Sequence, residues 1–295
     1  MSESPSCGRI YSLVGLMTVL WSLNYIVAKY ALREFPAMLA SGMRMIIAGS
    51  IMLAVYRWNR ANGSIPPWTR RDVGLLAFLG VIGVGLNQFF FVLGISMTTV
   101  SHAAIVAGLT PVTVLLLASA MGMERLGIVR LGGMFVALAG VFTLQMSSSQ
   151  TGGATALGDI FIYLASFTFA VFTVRGKQEA SRLGGVVVNT FAYAGSAVAM
   201  LPITAGYAWA FPFRNVSWVA WLSLLYMAVF PSVVCYSIYY YALRHVPASR
   251  VAAFQYLQPL LAMIMAIVIL GENATTGLMS GGALVLLGVF LAEKG

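Results

Sequence analysis

The chain has 295 residues, of which 60% are hydrophobic and only 8% charged, with a formal net charge of +9. So few polar side chains cannot cover a water-soluble globule of this size, and the solvent that tolerates such a sequence is lipid. The basic excess flanks apolar runs and no soluble basic domain exists to carry it, which disfavours nucleic acid as a partner.

Runs long enough to cross a hydrocarbon core of roughly 30 Å fall at Tyr11 to Leu32, Pro36 to Tyr56, Val73 to Met97, Thr99 to Gly122, Ile128 to Met146, Leu157 to Thr173, Val186 to Trp209, Val216 to Tyr241, Val246 to Leu270 and Thr276 to Ala292. The expected fold is therefore an all-α membrane protein of ten transmembrane helices. Spans three and four are divided by length alone, since Thr98 and Thr99 make a weak break. Residues 1–10 and 293–295 are short tails, and 148–156 link spans five and six. Span one is too long for a signal-peptide core and continues the pattern, so it is read as retained.

Lys and Arg collect on the cytoplasmic ends of spans. With both termini cytoplasmic, the inner segments hold Arg9, Arg57, Arg60, Arg70, Arg71, Arg125, Arg130, Arg175, Lys177, Arg182, Arg244, Arg250 and Lys294, against Lys29, Arg33 and Arg214 outside. The expected location is the cell membrane, as in a bacterial inner membrane. Cys7 and Cys235 are too far apart in depth to form a disulfide. The glycosylation triplets at Asn215 and Asn273 are of a kind that arises readily by chance.

The chain also aligns with itself. A shift of 148 residues brings Gly94 to Phe142 onto Ala242 to Phe290 without a gap, matching Ser101 with Ser249, Pro111 with Pro259, and Glu124 with Glu272. The unit is five helices, 11–147 and 157–292. An odd number of crossings puts the second copy upside down, the inverted arrangement that gives transporters two related end states.

Leu109-Thr-Pro to Met123-Glu124, repeated as Leu257-Gln-Pro to Gly271-Glu272, together with Trp21 and Asn24 in span one and Arg44 in span two, resembles the paired EamA-type repeats of the drug/metabolite transporter superfamily. Within it the chain is most similar to the YddG-type exporters of aromatic and other amino acids. The resemblance covers nearly the whole chain and implies a central cavity enclosed by spans one to four and six to nine, with spans five and ten peripheral.

Polar side chains at mid-membrane depth are costly in lipid and turn toward a cavity or a neighbouring helix. The candidates for substrate contact are Trp21, Asn24, Asn87, Gln88, Phe90, Thr110, Tyr163, Thr168, Tyr239, Gln255 and Gln258; Asn189 and Tyr236 lie at comparable depth. Trp21, Phe90 and Tyr239 are the expected apolar wall. The amides carry donors and an acceptor together, suited to a zwitterion. Pro111 and Pro259, at matching places, are candidate gating bends or static kinks. Arg44 either reaches the interface or attracts a substrate carboxylate, and His102, near the outer end of span four, is the weak exception to the lack of a proton-carrying group within the membrane.

No Asp or Glu lies at the centre of a span, which favours a facilitator without proton coupling. An enzyme is disfavoured: paired intramembrane aspartates, His-Glu-x-x-His and Gly-x-Ser-x-Gly are all missing. No metal and no cofactor are expected. The expected function is export of aromatic and other neutral amino acids, or similar small metabolites, by alternating access; the alternative is a multidrug or other metabolite exporter driven by proton antiport. The expected partners are that small-molecule substrate and the lipid bilayer, with the chain a monomer, or a dimer through the small-residue faces of spans five and ten.

Overall fold

The computed structural model describes residues 7–98, 103, 106–146, 155–258, 260–261, 264–265 and 276–295, and among these it contains helices and no strand. In chain order they are α1 (Cys7–Ala31), α2 (Ala37–Ala61), α3 (Arg70–Met97), α4 (Thr110–Ala120), α5 (Ile128–Met146), α6 (Ala156–Leu183), α7 (Gly185–Trp209), α8 (Trp218–Leu243), α9 (Ala248–Ala253) and α10 (Thr276–Lys294). Six of them, α1, α2, α3, α6, α7 and α8, are long and apolar enough to cross a membrane. Helices α4, α5 and α10 supply shorter apolar helices. His102, Pro259, Glu272 and Asn273 lie outside the described residues.

The bounds of α1, α2, α3, α5, α7, α8 and α10 lie close to the apolar runs, whereas α4 starts at Thr110 rather than Thr99, α9 ends at Ala253 in a 3-10 turn, and α6 continues ten residues past Thr173 to Leu183. The extension carries Arg175, Lys177, Gln178, Glu179 and Arg182, straight-chain residues that favour helix outside lipid as well as in it. Gly184 ends it at φ 80°, a conformation costly for a residue with a Cβ.

Helix ends are tied by capping. The Thr69 side chain and Asp72 form a reciprocal capping box at the start of α3, and Ser217 caps α8 through Ala220 N–H. Each cap is held by a distant residue: Arg182 donates to Asp72, and Glu34 accepts from the Ser217 N–H and hydroxyl. Lys29 donates to the carbonyls of Ile95 and Thr98 at the end of α3, and Lys177 to that of Val246 just after α8. Lys29 thus anchors helix ends.

Helices α5 and α10 pack on each other at the side of the bundle. Their backbones approach so closely that a Cβ on Gly288 would come within 2.2 Å of Ala137 N, and one on Gly133 within 2.4 Å of Ala292 N. Without a hydrophobic drive between helices in lipid, such small-residue contact is the main source of association. Gly288→Leu is expected to separate the pair and destabilise the protein by about 1–3 kcal/mol, seen as a lowered thermal unfolding temperature in detergent. Gly132→Ala, at a glycine with open space around its Cβ direction, should leave that temperature unchanged.

Candidate functional site

In hydrocarbon every backbone N–H and C=O must be paired, so irregular backbone is tolerated only where it is covered by protein or lines a cavity. Four interruptions occur among the described residues. Helix α3 contains a π-helical turn at Val81–Leu86 and α8 contains another at Phe230–Cys235. A turn at residues 108–109 precedes α4, and α9 runs into a 3-10 turn at Phe254–Tyr256.

All four border one cavity of about 110 Å³. Asn87, Gln88 and Phe91 follow the π turn of α3, and Tyr236 follows that of α8. Ala107 and Thr110 bracket the break before α4, while Gln255 and Gln258 come from the 3-10 turn and the residues after it. The regular helices complete the wall: α1 with Trp21, Asn24 and Tyr25, α2 with Arg44, and α6 with Ile162, Ala165, Ser166 and Phe169. None of the described lining residues comes from α5 or α10.

The break at α4 differs in kind from the bend expected at Pro111. Pro111 sits in the first turn of α4, where the missing N–H leaves nothing unpaired. The chain is interrupted before it rather than kinked at it.

Pro231 has a different effect. Lacking an N–H, it leaves the Met227 carbonyl free, and the Ser232 hydroxyl fills the gap by donating to it at 3.0 Å. Ser232 Oγ in turn accepts from Arg44 Nε at 2.9 Å. The Tyr193 hydroxyl neighbours Ser232 and accepts from Gln88 Nε2 at 2.8 Å. Arg44, Ser232, Tyr193 and Gln88 therefore form one polar string across α2, α8, α7 and α3. Asn87 is fixed separately, donating to Ala165 O at 2.8 Å and accepting from the Tyr236 hydroxyl at 3.4 Å.

On the apolar side, the Trp21 ring lies 5.9 Å from Phe169 and from Tyr236, both edge-on, and 5.6 Å from Tyr239. Its indole N–H donates to Pro231 O at 3.2 Å, inside the π turn. Trp21 is thereby locked to the irregular part of α8.

Of the residues singled out by sequence, the structure brings Trp21, Asn24, Arg44, Asn87, Gln88, Thr110, Tyr236, Gln255 and Gln258 into the wall. It does not bring Phe90, Tyr163, Thr168 or Tyr239 there. Phe90 stacks on Phe161 at 5.9 Å, and Tyr163 is 42% exposed on the outer face of α6. The Thr168 hydroxyl donates back to Leu164 O and Ala165 O, and Tyr239 lies behind Trp21, paired with Thr173 at 3.0 Å. Asn189 is fully buried away from the cavity. Ser166, Phe169, Tyr25 and Phe91 were missed. The stripe Ile162, Ala165, Ser166, Phe169 has helical spacing, a sequence signal that could have found Ser166 and Phe169 but not Tyr25 or Phe91.

The EamA-like transporter family matches residues 9–146 and again 156–293. The chain belongs to that family. It is a multi-pass transporter of the cell membrane, and members of the family are transporters, not enzymes. It is 28% identical over 292 residues to an uncharacterized transporter of Archaeoglobus fulgidus, covering 96% of each chain, and 28% identical to the uncharacterized transporter YetK of Bacillus subtilis, covering 96% of this chain and 86% of that one. It is 25% identical to a probable terminal-alkyne amino-acid exporter of Streptantibioticus cattleyicolor over 76% of this chain and 74% of the other. A crystal structure with 18% identity superposes with a TM-score of 0.77 over 97% of both chains, a likeness of fold.

The polar string makes Tyr193 a support for the wall. Tyr193→Phe removes the acceptor of a buried amide donor and is expected to cost about 1–3 kcal/mol. Tyr207→Phe, at a 47% exposed ring of the same helix, should cost nothing measurable in the same detergent unfolding experiment.

Proposed function

We propose that this transporter exports neutral amino acids or closely similar zwitterionic metabolites by alternating access through the cavity between α1–α4 and α6–α9. The observation that carries this reading is the chemistry of the wall. Carboxamides at Asn24, Asn87, Gln88, Gln255 and Gln258, the Arg44 guanidinium and the Trp21, Phe169 and Tyr236 rings offer donors, acceptors and an apolar face within one small space. The amino-acid exporter among its relatives supports the same substrate class.

No carboxylate is among the described lining residues. A proton-driven antiporter needs a titratable group in the pathway, and a cationic drug needs an anionic partner. Both requirements weigh against the multidrug alternative, and Arg44 adds repulsion of cations. The proposed mode is therefore facilitation without proton coupling.

For the two end states we propose ten crossings in two inverted five-helix units, 11–147 and 157–292. Support comes from contacts that recur at the 148-residue spacing. Lys29 on Thr98 O has its counterpart in Lys177 on Val246 O. Glu34 on the Ser217 cap answers Arg182 on the cap that Thr69 makes with Asp72. The two π turns stand 149 residues apart, and the residues directly after them, Asn87 and Tyr236, touch each other. Toward the cytoplasmic side of this arrangement, Glu124 accepts from the Ala248 and Ser249 N–H groups at the start of α9, bonds the Ser249 hydroxyl and pairs with Arg130 at 3.2 Å. That clasp closes α4 against α9. The proposed form is a monomer, since α5 and α10 use their small residues on each other.

The test is uptake of a panel of radiolabelled amino acids into liposomes holding the purified protein, with and without a pH gradient. Saturable uptake that ignores the gradient, with apparent affinity lowered about five- to tenfold in Asn24→Ala and Gln258→Ala, is the expected result. Folded protein that takes up no amino acid sinks the substrate assignment, and uptake driven by the gradient sinks the uncoupled mode.

A further inference from the structure

Arg44 is 96% buried from solvent, being 4% exposed, and none of the described carboxylates pairs with it. Its Nε is committed to Ser232, which leaves four N–H donors on the two Nη groups of a side chain that lines the cavity. A guanidinium held this way, away from water and without an anion, is the arrangement that gains most from an incoming oxyanion.

Two acceptors in the same wall are also without partners. Asn24 Oδ1 and Gln88 Oε1 are buried and receive no hydrogen bond, although their residues are only 5% and 2% exposed. Buried amide oxygens are normally paired. The Gln88 amide is held in orientation through its Nε2 bond to Tyr193, so its oxygen is fixed in place rather than free to rotate away.

We propose that the cavity is a two-ended clamp in which Arg44 binds the carboxylate of the substrate while Asn24 Oδ1 and Gln88 Oε1 accept from its ammonium group. This deepens the transport reading above and rests on it for the amino-acid class. One planar fork matches one carboxylate. Two neutral acceptors suit an ammonium and leave the cavity with the single positive charge of Arg44 once a zwitterion is in place. The side chain of the substrate then meets Trp21, Phe169 and Tyr236, an apolar surface with little power to discriminate by shape. The clamp therefore selects for the two charged ends together and tolerates different neutral side chains. Ser232 acts as a positioning residue, aiming the guanidinium from the carbonyl that Pro231 leaves free.

The probes are L-leucine, L-leucinamide, 4-methylpentanoate and 3-methylbutylamine, titrated calorimetrically into purified wild-type protein and into Arg44→Gln and Arg44→Lys, each first shown to retain its unfolding temperature. L-leucine is expected to bind most tightly. Leucinamide and 3-methylbutylamine should bind about ten- to a hundredfold more weakly, and 4-methylpentanoate about tenfold more weakly. Arg44→Gln should erase the preference for leucine over its amide, and Arg44→Lys should restore part of it. Wild-type protein that binds leucine and leucinamide alike overturns the clamp without recourse to any variant, and so does protein that binds none of the four probes. Transport of amino acids with no acid-over-amide preference leaves the transport reading standing and removes the anchor. Arg44-dependent binding of 4-methylpentanoate without binding of leucine keeps the carboxylate anchor, removes the ammonium end and, with it, the amino-acid reading.

Discussion

Everything in this molecule depends on the rule that a backbone in hydrocarbon must pair its own polar groups. Most of the chain obeys by staying helical. Where it does not, in the π turns of α3 and α8, the break before α4 and the 3-10 turn after α9, the irregular backbone collects around a single cavity. The interruptions turn Asn87, Gln88, Tyr236, Gln255 and Gln258 inward and release carbonyls that other side chains then use. Pro231 is the clearest example, because one missing N–H leads through Met227 O and Ser232 to the placement of Arg44. The cost of breaking a helix in lipid and the existence of a polar site are thus the same fact seen twice.

The rest of the bundle holds that irregular centre in place. Capping contacts reach across the fold from Glu34, Arg182, Lys29 and Lys177, so the ends of α3 and α8, the two helices with π turns, are each tied at both ends. To one side, α5 and α10 meet backbone to backbone through glycines and contribute nothing to the wall. Rigid ends with a breakable middle suit a protein whose proposed cycle moves halves against each other. The Glu124 clasp on the start of α9 is the kind of contact such a cycle opens and closes.

Much of this was legible in the sequence because lipid simplifies the code. Apolar length located the six long helices, and polar residues at depth located eight of the side chains in the wall, since an amide or guanidinium there has few places to point. Direction around a helix was harder to read. Tyr163 and Ile162 are neighbours, yet the wall takes Ile162, because a tyrosine can equally put its hydroxyl at the bilayer surface. Phe90 was chosen from a triplet in which Phe91 is the one that lines the cavity, and the π turn just before it shifts the register that counting from the helix end assumes. Ser166 and Phe169 give no depth signal, being a small residue and an ordinary apolar one. Pro111, by its place near mid-span, reads as a gating bend or static kink, whereas the chain breaks two residues earlier and makes it the start of a helix.

The central claim is that one cavity serves both faces of the membrane. Ser166→Cys, placed in the wall in a background with Cys7→Ser and Cys235→Ala, tests it by labelling with a membrane-impermeant thiol reagent added to one face at a time in oriented vesicles. Alternating access predicts labelling from either face and protection by transported amino acid from both. Labelling from a single face whatever the substrate, or labelling that substrate never slows, contradicts it.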